Sequence, residues 1–246
     1  RALKIKGAGM NRTIINSKIV NGDYCFVHTQ SSEQAKAYSF SRGLEISDLT
    51  IKGLKTTKVY VNNKMTTINA GGIKLQGAFF YTIKNVEIVG MKQNGIYIPY
   101  DANLDNDMIN FGGKCDAYAS GYGKFENLVI QGCDGWGYRN EIWGSSPNME
   151  NCMIVENEQG GIFLSCPSAK ISSCGIAQNG KSNEKGGGIL ISYNSNYNQT
   201  PHNVSINHCE LDTNYNYQVC FDGCKLNEVT RCRFIDRVTS DGKSYY

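Results

Sequence analysis

The chain has 246 residues, carries a formal net charge of +3 and is 40% hydrophobic. Its Lys and Arg residues are dispersed without a run of either, which argues against nucleic acid or an anionic membrane surface as the partner. No apolar stretch approaches the ~20 residues of a membrane-spanning helix, so we do not expect membrane insertion.

The opening RALKIKG has neither an initiator Met nor the apolar core of a signal peptide. We therefore expect the sequence to be the interior of a longer protein. Its length suits one large all-β domain, so residues 1–246 are predicted to form a single domain.

Short alternating runs of apolar residues appear from the start of the chain. The first lie at 3–16 around a Gly-x-Gly turn, and a clear repeat begins with GLEISDLTIKG at 43–53. The copies that follow contain GGIKLQG with YTIKNVEIVG, then NGIYIPY with FENLVIQGC, then GWGYRNEIW. Runs this short, bounded by Gly, Asn and Ser, are typical of strands and too brief for helices.

The repeat is clearest between Asn148 and Ser192, where two copies follow one another. Aligning NMENCMIVENEQGGIFLSC with AKISSCGIAQN and GGGILISY puts Cys152 over Cys174, an interval of 22 residues. One coil of this length cannot bury its own apolar face, so successive coils must stack. The sequence predicts an all-β fold, a right-handed parallel β-helix of about seven to eight three-stranded coils.

One position of the repeat holds either an aliphatic residue or cysteine. In chain order it is occupied by Leu49, Val86, Leu128, Cys152, Cys174, Cys209 and Cys232. Such a position faces inward, and coils stacked at ~4.8 Å leave Cβ atoms slightly beyond the ~3.5–4.5 Å of a disulfide. We expect a buried ladder of reduced thiols, with a disulfide framework as the alternative.

Three asparagines, Asn157, Asn179 and Asn214, each fall five residues after one of these cysteines. At such a turn, stacked amides satisfy backbone groups, so we predict an amide ladder there. No pair of Cys or His residues stands at the spacing of a metal site, and no metal is expected.

The insertions between repeats border one strand, typified by Gly-Ile-x-Ile. Loops at 99–123 and 194–201 leave its end, and loops at 54–70 and 180–185 enter its beginning. Because loops on a rigid scaffold concentrate binding and catalysis, we expect this strand to form the floor of a groove. Its inward residues run from Ile73 and Leu75 to Val219 and Phe221, and the residues between them point outward. The predicted outward row is Lys74, Tyr97, Arg139, Phe163, Leu190 and Cys220.

The GAGMNRTII opening at 7–15, the GLEISDLTIKG segment and the NVEIVG and GGIFLS repeats resemble the pectate-lyase-like right-handed β-helix superfamily. They are most similar to the branch of phage tailspikes and related polysaccharide-degrading enzymes. The resemblance covers nearly the whole chain, but its motifs belong to the scaffold. The catalytic signatures of pectate lyases and polygalacturonases are missing. The resemblance implies a polysaccharide partner along the outside of the helix and an extracellular or virion-surface location. No cofactor is expected. The sequence leaves the oligomeric state open, with the homotrimer common among tailspikes as one candidate.

Two chemistries are open for the groove. Glycoside hydrolysis needs two carboxyl groups ~5–10 Å apart. The candidate acids, beside Arg139, are Glu141, Asp101, Asp105, Asp107 and Asp134. A lyase needs a base and cations that neutralise a uronic carboxylate, for which Lys74 and Arg139 point outward and Tyr97 is an acid or a stacking platform. The alternatives are a solvated turn-rich loop at 101–107 and solvated surface cations.

Trp136 and Trp143 bracket the groove strand in the coil of Arg139. Rigid aromatic faces suit sugar rings, although a Trp also caps turns over a core. The expected substrate-binding set is Lys74, Tyr97, Trp136, Trp143 and Phe163. The sequence thus favours a polysaccharide-binding and depolymerising β-helix, hydrolase or lyase. The alternative is a non-catalytic fibre shaft, adhesin or sugar-binding module.

Overall fold

The computed structural model of the chain describes residues 3–29, 41–100, 121–142, 146–193 and 200–235, which consist of strands, bends and turns. The strands are short, parallel and stacked coil upon coil. Three stacks run side by side along the axis, and we call them ladders one, two and three. This arrangement confirms the predicted all-β parallel β-helix with three-stranded coils.

Ladders one and two form one 14-stranded sheet, because β5 (Glu45–Lys52) and β10 (Thr82–Val89) extend through both. The other strands of ladder one are β1 (Lys4–Lys6), β12 (Lys124–Glu126), β15 (Asn148–Glu150), β18 (Lys170–Ser172), β21 (Ser205–Asn207) and β24 (Glu228–Thr230). Those of ladder two are β2 (Ile14–Asn16), β13 (Val129–Gln131), β16 (Met153–Val155), β19 (Gly175–Ala177), β22 (Glu210–Asp212) and β25 (Arg233–Ile235).

Ladder three is a separate 7-stranded sheet. It consists of β3 (Tyr24–His28), β8 (Gly71–Leu75), β11 (Ile96–Ile98), β14 (Trp136–Asn140), β17 (Gly160–Leu164), β20 (Ile189–Ser192) and β23 (Val219–Asp222). Two short pairs lie outside the ladders. They are the parallel pair β4 (Ser41–Arg42) and β9 (Ala78–Phe79), and the antiparallel hairpin β6 (Lys58–Val61) and β7 (Lys64–Thr67), which lies within the 54–70 insertion.

The pairing register between coils matches the predicted repeat. Ile154 lies beside Ile176 and Ile162 beside Ile189, and all four side chains are fully buried. Aliphatic residues in register fill the interior with one continuous core. Each coil therefore buries its apolar face against its neighbours, as a solenoid requires.

The corner between ladders one and two is made by a single residue in the left-handed region. Its φ lies between 51° and 60° at Asp48, Asn85, Asn127, Asn151, Ser173, His208 and Arg231. Asn and Asp tolerate this conformation best, and they occupy most of these positions. The next residue in each coil is the aliphatic or cysteine position identified from the sequence.

The cysteine and asparagine columns both form inside the helix. Cys152, Cys174 and Cys209 are each 2% exposed, and all three are free thiols. The Nδ2 group of Asn157 donates to Oδ1 of Asn179 at 3.0 Å, and Nδ2 of Asn179 donates to Oδ1 of Asn214 at 3.0 Å. The predicted amide ladder is therefore present, and its members are at most 1% exposed.

Two predicted inward residues are not fully buried: Val219 is partly buried, and Phe221 is exposed. Phe221 pairs in register with the buried Ile191, yet it is 42% exposed. The reason is its place in β23, which is the last strand of ladder three in the described part of the chain.

Among the described residues, no helix is long and apolar enough to cross a membrane.

Candidate functional site

The outward side chains of ladder three form the row that the alternation predicts. Register pairs place Lys74 beside Tyr97, Tyr97 beside Arg139, and Arg139 beside Phe163. Leu190 and Cys220 continue the row, and Val27 precedes it. Neighbouring strands in a sheet are ~4.8 Å apart, so cations and aromatic rings alternate here at one-coil spacing.

Glu141 connects two members of this row. Its Oε1 atom accepts hydrogen bonds from Arg139, from Nε at 2.7 Å and from Nη2 at 2.5 Å. Its Oε2 atom accepts a hydrogen bond from the hydroxyl oxygen of Tyr97, 2.7 Å away. The Glu141 side chain is 17% exposed and that of Arg139 is 32% exposed. A carboxylate partly withdrawn from water is thus held between a phenol and a guanidinium.

The backbone fixes this carboxylate at the end of β14. The amide of Glu141 donates to the carbonyl of Ile98 at 2.9 Å, which extends the pairing of β14 with β11 by one residue. Glu141 stands two residues after Arg139, and alternate residues of a strand share a face. The spacing of two residues therefore indicates, from the sequence, that Glu141 lies on the same face as Arg139 and its neighbour Tyr97.

Tyr97 is a neutral phenol that donates a hydrogen bond to Glu141. Burial raises the pKa of Tyr97 above its ordinary value, and the hydrogen bond to Glu141 and the negative charge of that group raise it further. Arg139 acts in the opposite direction and is outweighed. On the other side, the rings of Tyr97 and Tyr24 lie 5.9 Å apart, which limits the rotation of Tyr97.

Phe163 supports the guanidinium from the next coil. The Arg139 Cζ atom lies 5.2 Å from the centre of the Phe163 ring, within the range of a cation–π contact. Phe163 in turn meets the edge of Trp136, with ring centroids 5.5 Å apart. Arg139 is therefore held by an ion pair on one side and an aromatic ring on the other.

Trp136 is 3% exposed, so its indole face is not offered to a ligand. It packs over the backbone of Gly160, where an added Cβ would lie 2.2 Å from the indole ring. Tyr24 covers Gly71 in the same manner, with a corresponding distance of 2.3 Å. Burial of Trp136 favours the turn-capping interpretation, and the glycine pairs that open β8 and β17 are the sequence signal for it.

Asp134 lies at the opposite end of β14 from Glu141. It forms ion pairs with Lys55 and Lys92, each at 2.5 Å. Partial burial alone raises the pKa of Asp134, but the two lysines outweigh it and hold the pKa below its ordinary value. The five residues of β14 span roughly 16 Å, so Asp134 and Glu141 are too far apart to act as a hydrolytic pair.

The remaining predicted site residues divide into two groups. Lys74 is partly exposed and lies in the row between Val27 and Tyr97. Asp101, Asp105, Asp107 and Trp143 lie outside the described residues. Among the residues that are described, no three His, Cys, Asp or Glu side chains are grouped as metal ligands.

These observations define a parallel β-helix with a row of charged and aromatic side chains along one sheet. The chain belongs to the right-handed β-helix family, because the family model described as "Right handed beta helix region" matches residues 71–234. This match confirms the predicted right-handed parallel β-helix. A comparison with curated proteins gives no match.

Two solved structures are similar to this chain at low identity. The chain is similar to the tailspike protein gp49 of Acinetobacter baumannii bacteriophage Fri1, a capsular polysaccharide depolymerase, with 14% identity and a TM-score of 0.47. The similarity covers 92% of this chain and 34% of the tailspike, so the chain spans about a third of that protein. It is also similar to the A-module of the Azotobacter vinelandii mannuronan C-5 epimerase AlgE6, with 14% identity, a TM-score of 0.40 and coverage of 94% and 79%. At this identity the likeness concerns the fold alone.

Proposed function

We propose that this chain binds an acidic polysaccharide along the outward face of ladder three and cleaves it beside Glu141. The observation that carries the proposal is the contact of Glu141 with both Tyr97 and Arg139. An acid, a base and a cation thereby meet on the outward face of ladder three. Lys74 adds a second positive charge two coils from Arg139, which suits a chain of uronic acids.

β-Elimination is the reaction that these groups support best. A base removes the proton beside the uronic carboxylate, a double bond forms as the glycosidic C–O bond breaks, and the departing oxygen takes a proton. Glu141 is the base, and the protonated Tyr97 supplies the proton to the departing oxygen. Lys74 attracts the substrate carboxylate, and Arg139 turns to that carboxylate once Glu141 has taken up the proton. The raised pKa of Tyr97 fits an acid rather than a base.

Hydrolysis is less well supported by the described residues. Retaining or inverting cleavage needs a second carboxyl group ~5–10 Å from the first, and Asp134 is separated from Glu141 by the length of β14. A hydrolase would have to take its second acid from the 101–107 segment. The two mechanisms give different products, and they are therefore separable by experiment.

A non-catalytic carbohydrate-binding role is the second candidate. This role is favoured because both oxygens of Glu141 already accept hydrogen bonds from side chains of the same row, Tyr97 and Arg139. Such a network also serves to hold a flat binding face rigid. In either role, the polysaccharide partner implies action outside the cell or on a virion surface, and the homotrimer common among tailspikes stays one candidate for the oligomeric state.

The test is incubation of the chain with capsular, lipopolysaccharide O-chain, plant and algal polysaccharides. New reducing ends and the ultraviolet absorbance of unsaturated uronates are followed together. We expect both signals, with a loss of at least about a hundredfold in rate in Tyr97→Phe and Glu141→Gln. Tyr60→Phe is the matched control, because Tyr60 is 74% exposed on the β6–β7 hairpin.

Three results would contradict the proposal in different ways. Reducing ends without absorbance would indicate hydrolysis. Binding without any cleavage would indicate the non-catalytic role. A folded protein that neither binds nor cleaves any acidic polysaccharide would overturn the proposal as a whole.

A further inference from the structure

A cavity lies on the corner between ladders two and three, at the beginning of the ladder-three strands. Its volume is about 320 Å³, which is within the range of small-ligand sites. Asp134, which lies next to it, is separated from Glu141 by the whole of β14. The cavity is therefore distinct from the row that contains Tyr97 and Arg139.

One residue that lines the cavity, Gly132, has no side chain. The residue that follows each ladder-two strand is Gly90, Gly132, Glu156 or Gln178 in four successive coils, and each has a positive φ. At Gly132 an added Cβ would meet no atom within 4 Å. Gly132 and its larger neighbours Glu156 and Gln178 all line the cavity. Side chains therefore begin in this column only at Glu156, and we call the open space over Gly132 beside it the notch.

Polar groups of both charges surround this notch. Glu156 accepts a hydrogen bond from Nε2 of Gln131 at 2.8 Å through one oxygen, and Glu158 accepts one from Ser182 through one oxygen. The second oxygen of each carboxylate accepts from no other residue in the described ranges. Lys181 likewise has no partner in the part of the chain that the structure describes. The cavity thus presents unused acceptors and an unused donor.

The charges around the cavity cancel. Lys55 lines it but is neutralised by Asp134, which also binds Lys92. The charged residues that line the cavity are two lysines and two carboxylates: Lys55, Lys181, Glu156 and Glu158. An anionic ligand meets the glutamates and a cationic ligand meets the lysines, so neither is favoured. A neutral, hydroxyl-rich ring can donate to the carboxylates and accept from Lys181.

We infer that this cavity binds one neutral sugar residue, at a site separate from the cleavage row. Tyr215 supplies an aromatic wall, and the polar rim supplies acceptors and donors for the ring hydroxyls. The preference of this cavity for uncharged sugars differs from the preference of ladder three for charged ones. The row with Lys74 and Arg139 selects an acidic chain, whereas the notch over Gly132 selects a neutral unit.

The experiment compares two glycine variants by amide-resolved NMR titration. Gly132→Asn fills the notch, and Asn tolerates the φ of +64° at that position. Gly90→Asn is the matched control, because Gly90 has a φ of +66°, also has no atom near an added Cβ, and does not line the cavity. The neutral probes are the methyl α-glycosides of glucose, mannose and galactose. Glucuronate and glucosamine are the charged probes.

We expect at least one neutral glycoside to shift the amides of Gly132, Glu158 and Lys181 in the wild-type chain and in Gly90→Asn. Gly132→Asn should weaken that binding by about tenfold or more. Glu158→Gln, which keeps the side-chain size, should also weaken binding of the neutral glycoside. This variant replaces Gly132→Asn in the test if Gly132→Asn does not fold. Cleavage of an acidic polysaccharide should be the same in Gly132→Asn as in wild type, so failure of this site and failure of the proposed function are separate results.

Three outcomes would overturn the inference. The first is that no neutral glycoside shifts these amides in the folded wild-type chain. The second is that Gly132→Asn, or Glu158→Gln in its place, binds as wild type does. The third is tighter binding of glucuronate or glucosamine than of any neutral glycoside, which would assign the cavity to a charged ligand.

Discussion

Replacing Asn179 by Ala removes the centre of the buried amide ladder and should strongly destabilise the chain. The Asn179 side chain makes four hydrogen bonds: Oδ1 accepts from the backbone and side-chain nitrogens of Asn157, both at 3.0 Å, and Nδ2 donates to the Ile154 carbonyl at 2.9 Å and to Asn214 at 3.0 Å. At about 1 kcal/mol for each bond, and more for every polar group left buried without a partner, the loss is about 3–5 kcal/mol.

The matched control is Asn127→Ala. Asn127 also belongs to a corner, but it is exposed, and its Nδ2 donates to Asn85 at 3.1 Å where water can replace the bond. Its substitution should cost about 1 kcal/mol, mainly because Ala disfavours a positive φ. Urea unfolding followed by tryptophan fluorescence gives both values, with the slope expected to stay constant. Equal destabilisation of the two variants would refute the view that the buried ladder stabilises the coils.

Three further predictions concern charge and burial. Asp134→Asn should lower the free energy of unfolding, measured by urea titration, by about 1 kcal/mol and leave polysaccharide cleavage unchanged. Loss of cleavage in this variant would show that Asp134 takes part in catalysis. Burial raises the pKa of Cys133 to about 12 and that of Tyr97 above its ordinary value, so both stabilise the fold while protonated. Stability should be full below about pH 8.5 and fall as pH rises toward 12, and a flat profile would contradict these shifts. A thiol reagent should leave Cys152 and Cys174 unmodified in the native chain, and their rapid labelling, located by mass spectrometry, would contradict their burial.

The fold follows from the sequence because a solenoid is governed by local periodicity. Each coil contacts its neighbours through the same few positions, so an alignment such as Cys152 over Cys174 also states which residues touch. The outward row on ladder three follows from the same rule, since alternate residues of a strand face opposite ways. For this reason the order of Lys74, Tyr97 and Arg139 along the row is predictable from the amino-acid sequence alone.

Contacts between different corners and between glycine and aromatic residues could not be predicted in this way. Lys55 reaches Asp134 across 79 residues, and the contact depends on the side chain spanning two coils. Trp136 is buried because Gly160 in the next coil has no side chain, a relation that hydrophobicity and alternation do not encode. The notch over Gly132 is likewise defined by an absent group, so it is visible only when the whole corner column is assembled.

The most direct test of the account is whether an acidic polysaccharide binds to the outward face of ladder three. Native electrophoresis through gels that contain polygalacturonate or alginate compares wild type with Lys74→Glu and with Lys170→Glu, an equal charge reversal on ladder one. We predict that at least one gel retards wild type and Lys170→Glu, whereas Lys74→Glu binds about tenfold more weakly or worse. Equal weakening by the two reversals, or no retardation of the wild-type chain, would contradict the assignment of this face.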